Sequence, residues 1–227
     1  MTKMTKMNLR LAITHISKSY DSKPVLNNCS FNFAKKGVYI LTGPNGCGKS
    51  TFLRIAALIE KPDSGTVSYF SGDEGLVNDI SLRRRITLVL PKVGLFNTTV
   101  YSNMAYGLKI RGMQKRDIEE KVNGHLKSFG LLHKKNQKAL TLSSGESQRL
   151  GIARAMVTEP DLLFLDEPTA SVDQKNSEII EEIILKMKKQ GKPTVIMTTH
   201  DAGQAERLAD FLIRMHEGSL GLSISSE

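Results

Sequence analysis

The chain has 227 residues, of which 40% are hydrophobic, so it can form one large α/β domain or two small ones and is not disordered throughout. Its net charge is +9, but the lysines are scattered and tryptophan is absent, so we expect no nucleic-acid partner. Two cysteines are too few for a disulfide framework, which favours a reducing compartment. No apolar run is long enough to cross a bilayer, and the first seven residues lack the apolar core of a signal peptide.

The predicted elements begin with an antiparallel pair and then alternate between strands and helices. Residues 9–14 and, more loosely, 25–33 alternate apolar and polar side chains, which predicts strands of an antiparallel edge sheet. Further predicted strands are 38–42, 66–70, 86–90, 162–165, 194–198, 211–215 and 219–222, the last two forming an edge hairpin turned by Glu217 and Gly218. Predicted helices are 49–58, 146–157, 174–190 and 202–209, and residues 100–135 have the helical spacing of a separate lobe. This alternation predicts a mostly parallel α/β core.

A glycine-rich loop between a predicted strand and a predicted helix fits the phosphate-loop pattern G-x-x-x-x-G-K-S. Gly46 and Gly48 let the backbone turn tightly, so that its amides and the following helix N-terminus face an anion. Lys49 adds a cation for the β- and γ-phosphates, and the Ser50 hydroxyl is placed to ligate Mg²⁺. A glycine turn that binds nothing is the alternative, which the strand–loop–helix context disfavours. The loop residues predicted to bind ATP are Gly43, Pro44, Asn45, Gly46, Cys47, Gly48, Lys49, Ser50 and Thr51.

Cys47 lies inside this loop, beside Lys49 and the helix N-terminus. Both features favour its thiolate, so we predict a reactive thiol that bound ATP protects. An inert spacer residue is the alternative.

Two carboxylates follow the apolar strand 162–165. Asp166 at the strand tip is suited to hold Mg²⁺, directly or through water, and Glu167 is positioned to polarise an attacking water as general base. Phosphoryl transfer needs mainly positioning and charge neutralisation, so one cation, one metal and one oriented water are nearly the whole apparatus. Acidic pairs at strand ends are also common turn formers, but this pair lies downstream of a phosphate loop.

The run Leu142-Ser-Ser-Gly-Glu-Ser-Gln-Arg-Leu-Gly-Ile-Ala-Arg-Ala155 narrows the family. It resembles the signature motif of ATP-binding-cassette (ABC) proteins, which closes on the ATP bound by the opposite subunit. Helix-end amides and the helix dipole suit a γ-phosphate there, whereas an ordinary Ser-capped helix would not explain the whole run. The resemblance implies four residues that act across a dimer: Ser143, Ser144, Gly145 and Glu146. The family usually has glycine and glutamine at the second and fourth of these positions, and we expect Glu146 to point away or to cap the helix.

The resemblance covers residues 9–222 and implies a fold. We expect one ABC cassette of the P-loop NTPase class over residues 1–227, with a core of about 1–90 and 158–227 and a helical lobe of about 96–157. An antiparallel β subdomain would flank the mostly parallel core sheet.

Two more segments follow the family's order. Ala170-Ser-Val-Asp173 looks like the D-loop, in which Ser171 and Asp173 would contact the other subunit. His200 resembles the switch histidine that contacts the γ-phosphate, although a lone histidine is more often structural. The residues predicted to be catalytic are therefore Lys49, Glu167 and His200.

Tyr20 resembles the aromatic residue on which the adenine ring stacks, ahead of Val25 in the same site. A tyrosine at a strand edge that contacts no ligand is the alternative. The resemblance thus implies ATP and Mg²⁺ as the bound groups.

One position departs from the family. Between the two lobes, members of the family usually carry a glutamine after a strand. That glutamine ligates Mg²⁺ and relays the nucleotide state to the helical lobe. In this sequence Pro91 or Lys92 falls at that position. Proline offers neither a ligating side chain nor a backbone N–H, and a lysine would compete with the metal. Gln114 is too far along the chain to substitute. We therefore expect hydrolysis with weaker Mg²⁺ dependence and looser coupling between the lobes.

The resemblance implies an ATP-hydrolysing transporter subunit, held by a membrane-spanning permease at the cytoplasmic face of the membrane. A homodimer of cassettes and a substrate-binding protein belong to that expectation. The run Leu95–Gly112 is similar to importers of tungstate and molybdate, and it would line the groove that receives the permease. Two alternatives stay open: a soluble ABC ATPase acting on nucleic acid or ribosomes, and a weakly hydrolysing regulatory cassette.

Overall fold

The computed structural model describes residues 9–222, without the side chain of Leu222. The prediction that residues 1–7 are not a signal peptide lies outside the described residues. No helix within residues 9–222 is long and apolar enough to cross a membrane. The strands are β1 (Leu9–Tyr20), β2 (Lys23–Phe33), β3 (Val38–Thr42), β4 (Ser64–Ser71), β5 (Glu74–Leu76), β6 (Ile86–Val89), β7 (Leu162–Asp166), β8 (Thr194–Thr199), β9 (Phe211–His216) and β10 (Ser219–Leu222). The α-helices are α1 (Lys49–Ala56), α2 (Ile80–Arg83), α3 (Val100–Lys109), α4 (Lys115–Ser128), α5 (Ser144–Met156), α6 (Gln174–Gln190) and α7 (Ala202–Leu208).

Four strands form an antiparallel sheet in the order β2-β1-β4-β5. The predicted antiparallel pair is therefore present, but β1 continues six residues beyond Thr14, to Tyr20. The apolar–polar alternation breaks because His15, at a positive φ of 52°, adds one residue between Ile13 and Ile16, which pair with Phe31 and Cys29. Such a bulge moves the following side chains to the other face, which hides the strand from a periodicity analysis.

The second sheet has six strands in the order β10-β9-β3-β8-β7-β6. All neighbours are parallel except the antiparallel hairpin β9–β10, which confirms the predicted mostly parallel core with an edge hairpin. The residues of β7 and β8 are all buried, as expected for strands covered on both faces. Because β3, β8 and β7 are parallel neighbours, the segments that follow their carboxyl ends meet at one edge of the sheet.

Helices α3, α4 and α5 fall in the range of the predicted lobe and share one hydrophobic core with α6. The stretch 100–135 is not one helix, because a turn at Gly112, with φ of +75°, separates α3 from α4, and a short 3-10 turn follows at Leu132–Lys134. Sequence periodicity also missed β5 and α2, which have three and four residues and are too short to show a repeat. Helix α5 begins two residues before the predicted start, since Ser143 is its N-cap.

Candidate nucleotide-binding site

The phosphate loop joins β3 to α1, and two of its glycines pack directly against the backbone of neighbouring strands. A Cβ at Gly43 would lie 2.2 Å from the carbonyl oxygen of Met215, so no larger residue fits without moving β9. Gly48 has φ of +108°, a conformation open to glycine, and a Cβ there would lie 2.7 Å from the Val25 carbonyl oxygen. The loop is therefore packed against β2 and β9, and α1 begins at its end with a free N-terminus.

Lys49, the first residue of α1, is buried at 5% exposure. Its Nζ donates to the carbonyl oxygens of Gly43 at 2.8 Å and Pro44 at 3.1 Å, and lies 3.7 Å from Oε1 of Glu167. An ammonium this deeply buried needs partners of opposite charge or good acceptors, and here the loop itself supplies them. These contacts hold the cation over the phosphate loop.

Asp166 ends β7 and is 2% exposed. Its Oδ1 accepts hydrogen bonds from the Ser50 hydroxyl at 3.0 Å and from the Thr198 hydroxyl at 2.8 Å. The same Thr198 oxygen accepts from the Glu167 amide at 2.9 Å, so β8 orients both carboxylates. Sequence reasoning missed Thr198, although a polar residue near the end of an otherwise apolar strand was a usable signal.

The pair of Ser50 and Asp166 has the donor chemistry that Mg²⁺ prefers, a hydroxyl and one carboxylate, both oxygen. No cluster of three or more His, Cys, Asp or Glu residues that could hold a metal occurs between residues 9 and 222. Mg²⁺ typically binds proteins through one or two carboxylates plus the phosphates of its nucleotide, so two protein oxygens fit. In this site Ser50 and Asp166 would hold the ion, which would neutralise charge on the phosphates.

Glu167 contacts the two other predicted catalytic residues. Its Oε1 lies 3.7 Å from Lys49 Nζ, and its Oε2 lies 3.3 Å from Nδ1 of His200. Its backbone has φ of +44°, an uncommon conformation for a residue with a side chain, which costs about 1–3 kcal/mol and is held here by the hydrogen bond to Thr198. The predicted catalytic residues thus meet at the carboxyl ends of three strands.

A cavity of about 160 Å³ lies at the loop. Its lining includes Val25, as the resemblance implied, but not Tyr20. Tyr20 donates to Glu60 and accepts from Arg54 at 3.2 Å, and Arg54 also donates to the Thr51 hydroxyl at 3.1 Å. Tyr20 is thereby linked to α1 through one side chain, and its stacking on adenine stays a prediction.

The N-terminus of α5 carries the four signature residues, and none of them lines that cavity. Ser143 and Glu146 form a capping box: the Glu146 amide donates to Ser143 Oγ at 3.2 Å, and the Ser143 amide donates to Glu146 Oε2 at 3.0 Å. Glu146 also pairs with Lys134 at 3.3 Å. The expected capping role of Glu146 is therefore correct, and the box leaves the amides of Ser144 and Gly145 at the helix end.

The backbone hydrogen bond from Ser143 is the main cause of the lowered pKa of Glu146, and Lys134 adds to it. Gly145 packs against α6, where a Cβ would lie 2.1 Å from Cγ of Asn176. Asp173 is the N-cap of α6 and accepts two hydrogen bonds from the same Asn176: the backbone amide donates to Oδ1 at 2.9 Å and Nδ2 donates to Oδ2 at 2.8 Å. The signature helix and the D-loop are thus joined within the chain, while Ser171 is exposed.

A polar network centred on the buried Gln204 connects the D-loop side to α6 and α7. Nε2 of Gln204 donates to Thr169 Oγ1 and to Glu181 Oε1, both at 3.0 Å. Arg207 donates to both Glu181 oxygens, at 3.0 and 2.9 Å. Sequence reasoning missed this network, because the partners come from three separate segments. It fixes the segment after Glu167 relative to the helix that follows His200.

The segment 91–94 follows β6 and packs against α5. A Cβ at Gly151 would lie 2.5 Å from Cγ1 of Val93, so the valine occupies the notch that the missing side chain leaves. The segment that departs from the family at Pro91 is therefore fixed to the signature helix by close packing. The weaker Mg²⁺ dependence stays a prediction.

A parallel sheet with a phosphate loop, a buried lysine and paired carboxylates at its carboxyl edge defines a P-loop nucleoside triphosphatase. Comparison with known proteins then gives the family. The profile of the family described as ABC transporter matches residues 26–170. The chain belongs to this family, as an ATP-binding, ATP-hydrolysing domain.

The relatives include transport proteins of several named substrates. The tungstate uptake system ATP-binding protein TupC of Peptoclostridium acidaminophilum is 36% identical over 94% of this chain and 97% of its own length. The phosphate import protein PstB 1 of Yersinia pestis is 36% identical over 96% of this chain and 84% of its own. The spermidine/putrescine import protein PotA of Acetivibrio thermocellus is 35% identical over 93% of this chain and 60% of its own.

A solved structure shows the same fold. It is cbiO1 of Clostridium perfringens, described as part of the ABC transporter complex cbiONQ, which superposes with a TM-score of 0.82 at 29% identity. The match covers 95% of this chain and 88% of the other. The ABC cassette fold that the sequence predicted is therefore confirmed.

Proposed function

We propose that this chain is the ATP-hydrolysing subunit of an importer, held by a membrane-spanning permease, and that two copies close on two ATP molecules. The signature residues carry the dimer proposal, because they lie outside the cavity of their own phosphate loop. Ser144 is exposed at the N-terminus of α5, so this helix end can meet a phosphate bound by a second copy. Closure on ATP and reopening after hydrolysis would drive the permease.

The chemistry of each site follows from the contacts described. Lys49, held over the loop, moves its ammonium to the β- and γ-phosphates, and Glu167 orients the attacking water between itself and His200. Ser50 and Asp166, which lie within hydrogen-bonding distance of each other, would hold Mg²⁺, and the ion would neutralise charge on the phosphates. Tyr20 stacks on the adenine ring. Its hydroxyl is linked to Thr51 of the phosphate loop, because Arg54 donates hydrogen bonds to both side chains.

The import direction and the cargo are supported by the relatives. TupC, PstB 1 and PotA carry uptake or import in their names, and TupC matches over nearly its whole length. We propose an oxyanion cargo, since tungstate and phosphate are oxyanions and the run 95–112 is similar to the tungstate group. A substrate-binding protein would deliver the cargo, and the chain would lie at the cytoplasmic face of the membrane through the permease. Uptake of radiolabelled tungstate, molybdate and phosphate by cells with and without the gene tests the cargo.

The test of function is recovery of tagged Glu167→Gln protein from its own cells in a gentle detergent. The variant is expected to retain ATP, and a multi-span membrane protein should co-purify with it. Recovery with ribosomes or nucleic acid alone would replace the importer by a soluble ABC ATPase. A matched Lys49→Ala preparation, which should bind ATP weakly, shows whether recovery depends on nucleotide.

A further inference from the structure

A network of charged side chains surrounds Tyr20, and none of its members lines the cavity at the phosphate loop. Tyr20 donates its hydroxyl hydrogen to Oε1 of Glu60, and Nε of Arg54 donates to Oε2 of the same carboxylate at 3.0 Å. Nζ of Lys18 lies 3.8 Å from Oε1 of Glu60 and 2.8 Å from Oδ1 of Asp63. The charges therefore alternate in sign along the contacts, and each has a partner within this chain.

Glu60 is the residue on which the hydrogen bonds to the Tyr20 hydroxyl depend. Its side chain is partly buried, and burial opposes its charge. The hydrogen bonds from Tyr20 and Arg54 outweigh that effect and lower the pKa of Glu60. An ionised carboxylate is a stronger acceptor than a neutral group, so the phenol is held firmly in one direction.

Lys18 holds the ring of Tyr20 on a second side. Its Nζ lies 5.5 Å from the ring centroid, within the range of a cation–π attraction. Lys18 is itself fixed by Asp63, whose Oδ2 accepts from the Ser19 amide at 2.7 Å. Lys18 therefore occupies one face of the ring, and a nucleobase would stack on the opposite face.

The hairpin that carries Tyr20 gives the ring little support of its own. Tyr20 pairs with Lys23 across a two-residue turn, in which Asp21 and Ser22 both have positive φ, 48° and 63°. Tight turns of this kind favour glycine, which is absent from these two positions. Tyr20 is also 39% exposed, so little packing restrains it. Polar contacts therefore supply the orientation that packing does not.

We propose that Arg54 and Glu60 are positioning residues for the nucleobase, which hold the Tyr20 ring ready for stacking and join it to the phosphate loop. Arg54 is the link, since its Nη2 donates to the Tyr20 hydroxyl at 3.2 Å and to the Thr51 hydroxyl at 3.1 Å. This inference rests on the proposed function, in which the adenine ring stacks on Tyr20. A ring that is oriented before the ligand arrives loses less freedom on binding, so the network increases nucleotide affinity without acting on the reacting phosphate.

The test separates binding from chemistry by measuring KM and kcat of ATP hydrolysis by the full chain. Glu60→Ala and Arg54→Ala should each raise KM for ATP roughly three- to tenfold, the factor expected when one more side chain must be ordered on binding, while kcat stays within about twofold. Lys61→Ala is the matched control, since this exposed cation next to Glu60 takes no part in the network, and its KM should equal that of the wild type.

Two further measurements show whether the effect passes through Tyr20. Tyr20→Ala should raise KM at least as much as Arg54→Ala, and combining the two should raise it no further, because the ring that Arg54 positions is gone. Inorganic tripolyphosphate, which has no base, should inhibit every one of these variants as strongly as it inhibits the wild type. Tyr20→Phe keeps the ring but loses the hydroxyl, so KM should also rise, and this variant tests the proposal even where thermal unfolding shows that an alanine variant is unfolded.

The outcomes separate this inference from the proposed function. If Tyr20→Ala raises KM but the Arg54 and Glu60 variants and Tyr20→Phe do not, this inference is wrong while stacking on Tyr20 stands. If Tyr20→Ala leaves KM unchanged, stacking and this inference are both wrong, whereas ATP hydrolysis is unaffected. An additive rise in KM for the double variant, or weaker inhibition by tripolyphosphate, would show that Arg54 acts on the phosphate loop independently of Tyr20 and would overturn the proposal.

Discussion

The two ends of the nucleotide site differ in how completely one chain builds them. At the phosphate loop, Lys49, Asp166 and Glu167 are held by contacts from three strand ends. At the signature end, Ser143 and Glu146 bond to each other and leave two helix-end amides without a partner from the helix. The chain therefore organises the phosphate-loop end by itself and leaves the signature end open, as the proposed two-chain site requires.

The two ends also differ in what each still needs before ATP can be hydrolysed. Asp166 and Glu167 are already oriented by Thr198, so they need little further ordering when ATP binds, and Lys49 only moves its ammonium from the loop carbonyls to the phosphates. The open end can only act when another surface approaches it. The phosphate-loop end, the packing that links the two ends and the signature end can each be changed by a single substitution.

Replacing Glu167 by Gln should have the largest effect. The amide keeps the size and can still bond to His200, but it cannot accept a proton, so ATP turnover should fall by about 10²–10⁴. ATP affinity should change little, because Lys49 remains. Steady-state phosphate release and nucleotide binding measure the two quantities. Turnover above a tenth of the wild-type rate would remove Glu167 as the general base.

Cys47 should react with an alkylating reagent at least tenfold more slowly when ATP is bound. Its thiol lies in the phosphate loop and is partly exposed, whereas Cys29 is buried and donates to the Gly218 carbonyl oxygen at 3.0 Å. Burial raises the pKa of Cys29, so it serves as the unreactive control in the same chain. Mass spectrometry of both peptides gives the rates, and equal rates for Cys47 with and without ATP would contradict the prediction.

Gly151→Ala should destabilise the protein by about 1–3 kcal/mol, because the new Cβ would lie 2.5 Å from Val93. Gly124→Ala in α4 is the matched control, since nothing lies within 4 Å of its Cβ position and the helix gains about 1 kcal/mol. Thermal unfolding of both variants tests the packing of the segment 91–94 on α5. An unfolding midpoint of Gly151→Ala equal to that of Gly124→Ala would show that Val93 does not pack tightly against α5.

Pro91→Gln should raise ATP turnover several-fold, roughly the scale of one added hydrogen bond or metal contact, or lower the Mg²⁺ concentration needed for half activity. The glutamine restores the ligand and the backbone N–H that proline lacks. A Mg²⁺ titration of turnover measures both changes. No change in either would show that the family's glutamine has no counterpart function here.

Glu146→Gln should have the smallest effect on stability at neutral pH, because Gln also forms the capping box. The folded-state pKa of Glu146 is lowered from its ordinary 4.5, so the charge contributes stability above that pH and loses it as pH falls through the lowered value. The difference in the free energy of unfolding between Glu146→Gln and the wild type should therefore shrink as the pH falls below about 4.5. Unfolding midpoints at pH 7 and pH 4 check this, and a constant difference would exclude the charge as the cause.

The sequence predicted the parallel core and the loop because their signals are local: one glycine pattern, one apolar strand ending in acids. Family, fold class and ATP hydrolysis are confirmed by the relatives. The bulge at His15 was not predictable, because it depends on pairing with a distant strand. The role of Gln204 also depends on contacts between segments far apart in the chain, which no local pattern reveals. Thr198 carried a local signal, a polar residue near the end of an apolar strand, but its partner Asp166 comes from a different strand.

The most direct test of the two-chain site mixes two inactive variants. Lys49→Ala disables the phosphate loop, and Ser144→Glu places a carboxylate at the exposed signature end without disturbing the helix, since acids suit its first turn. Random pairing gives half mixed dimers, each with one intact site of two, so the mixture should recover about a quarter of wild-type turnover at most. Recovery well above the sum of the two variants supports sites shared between copies. A mixture no more active than its components would contradict the account.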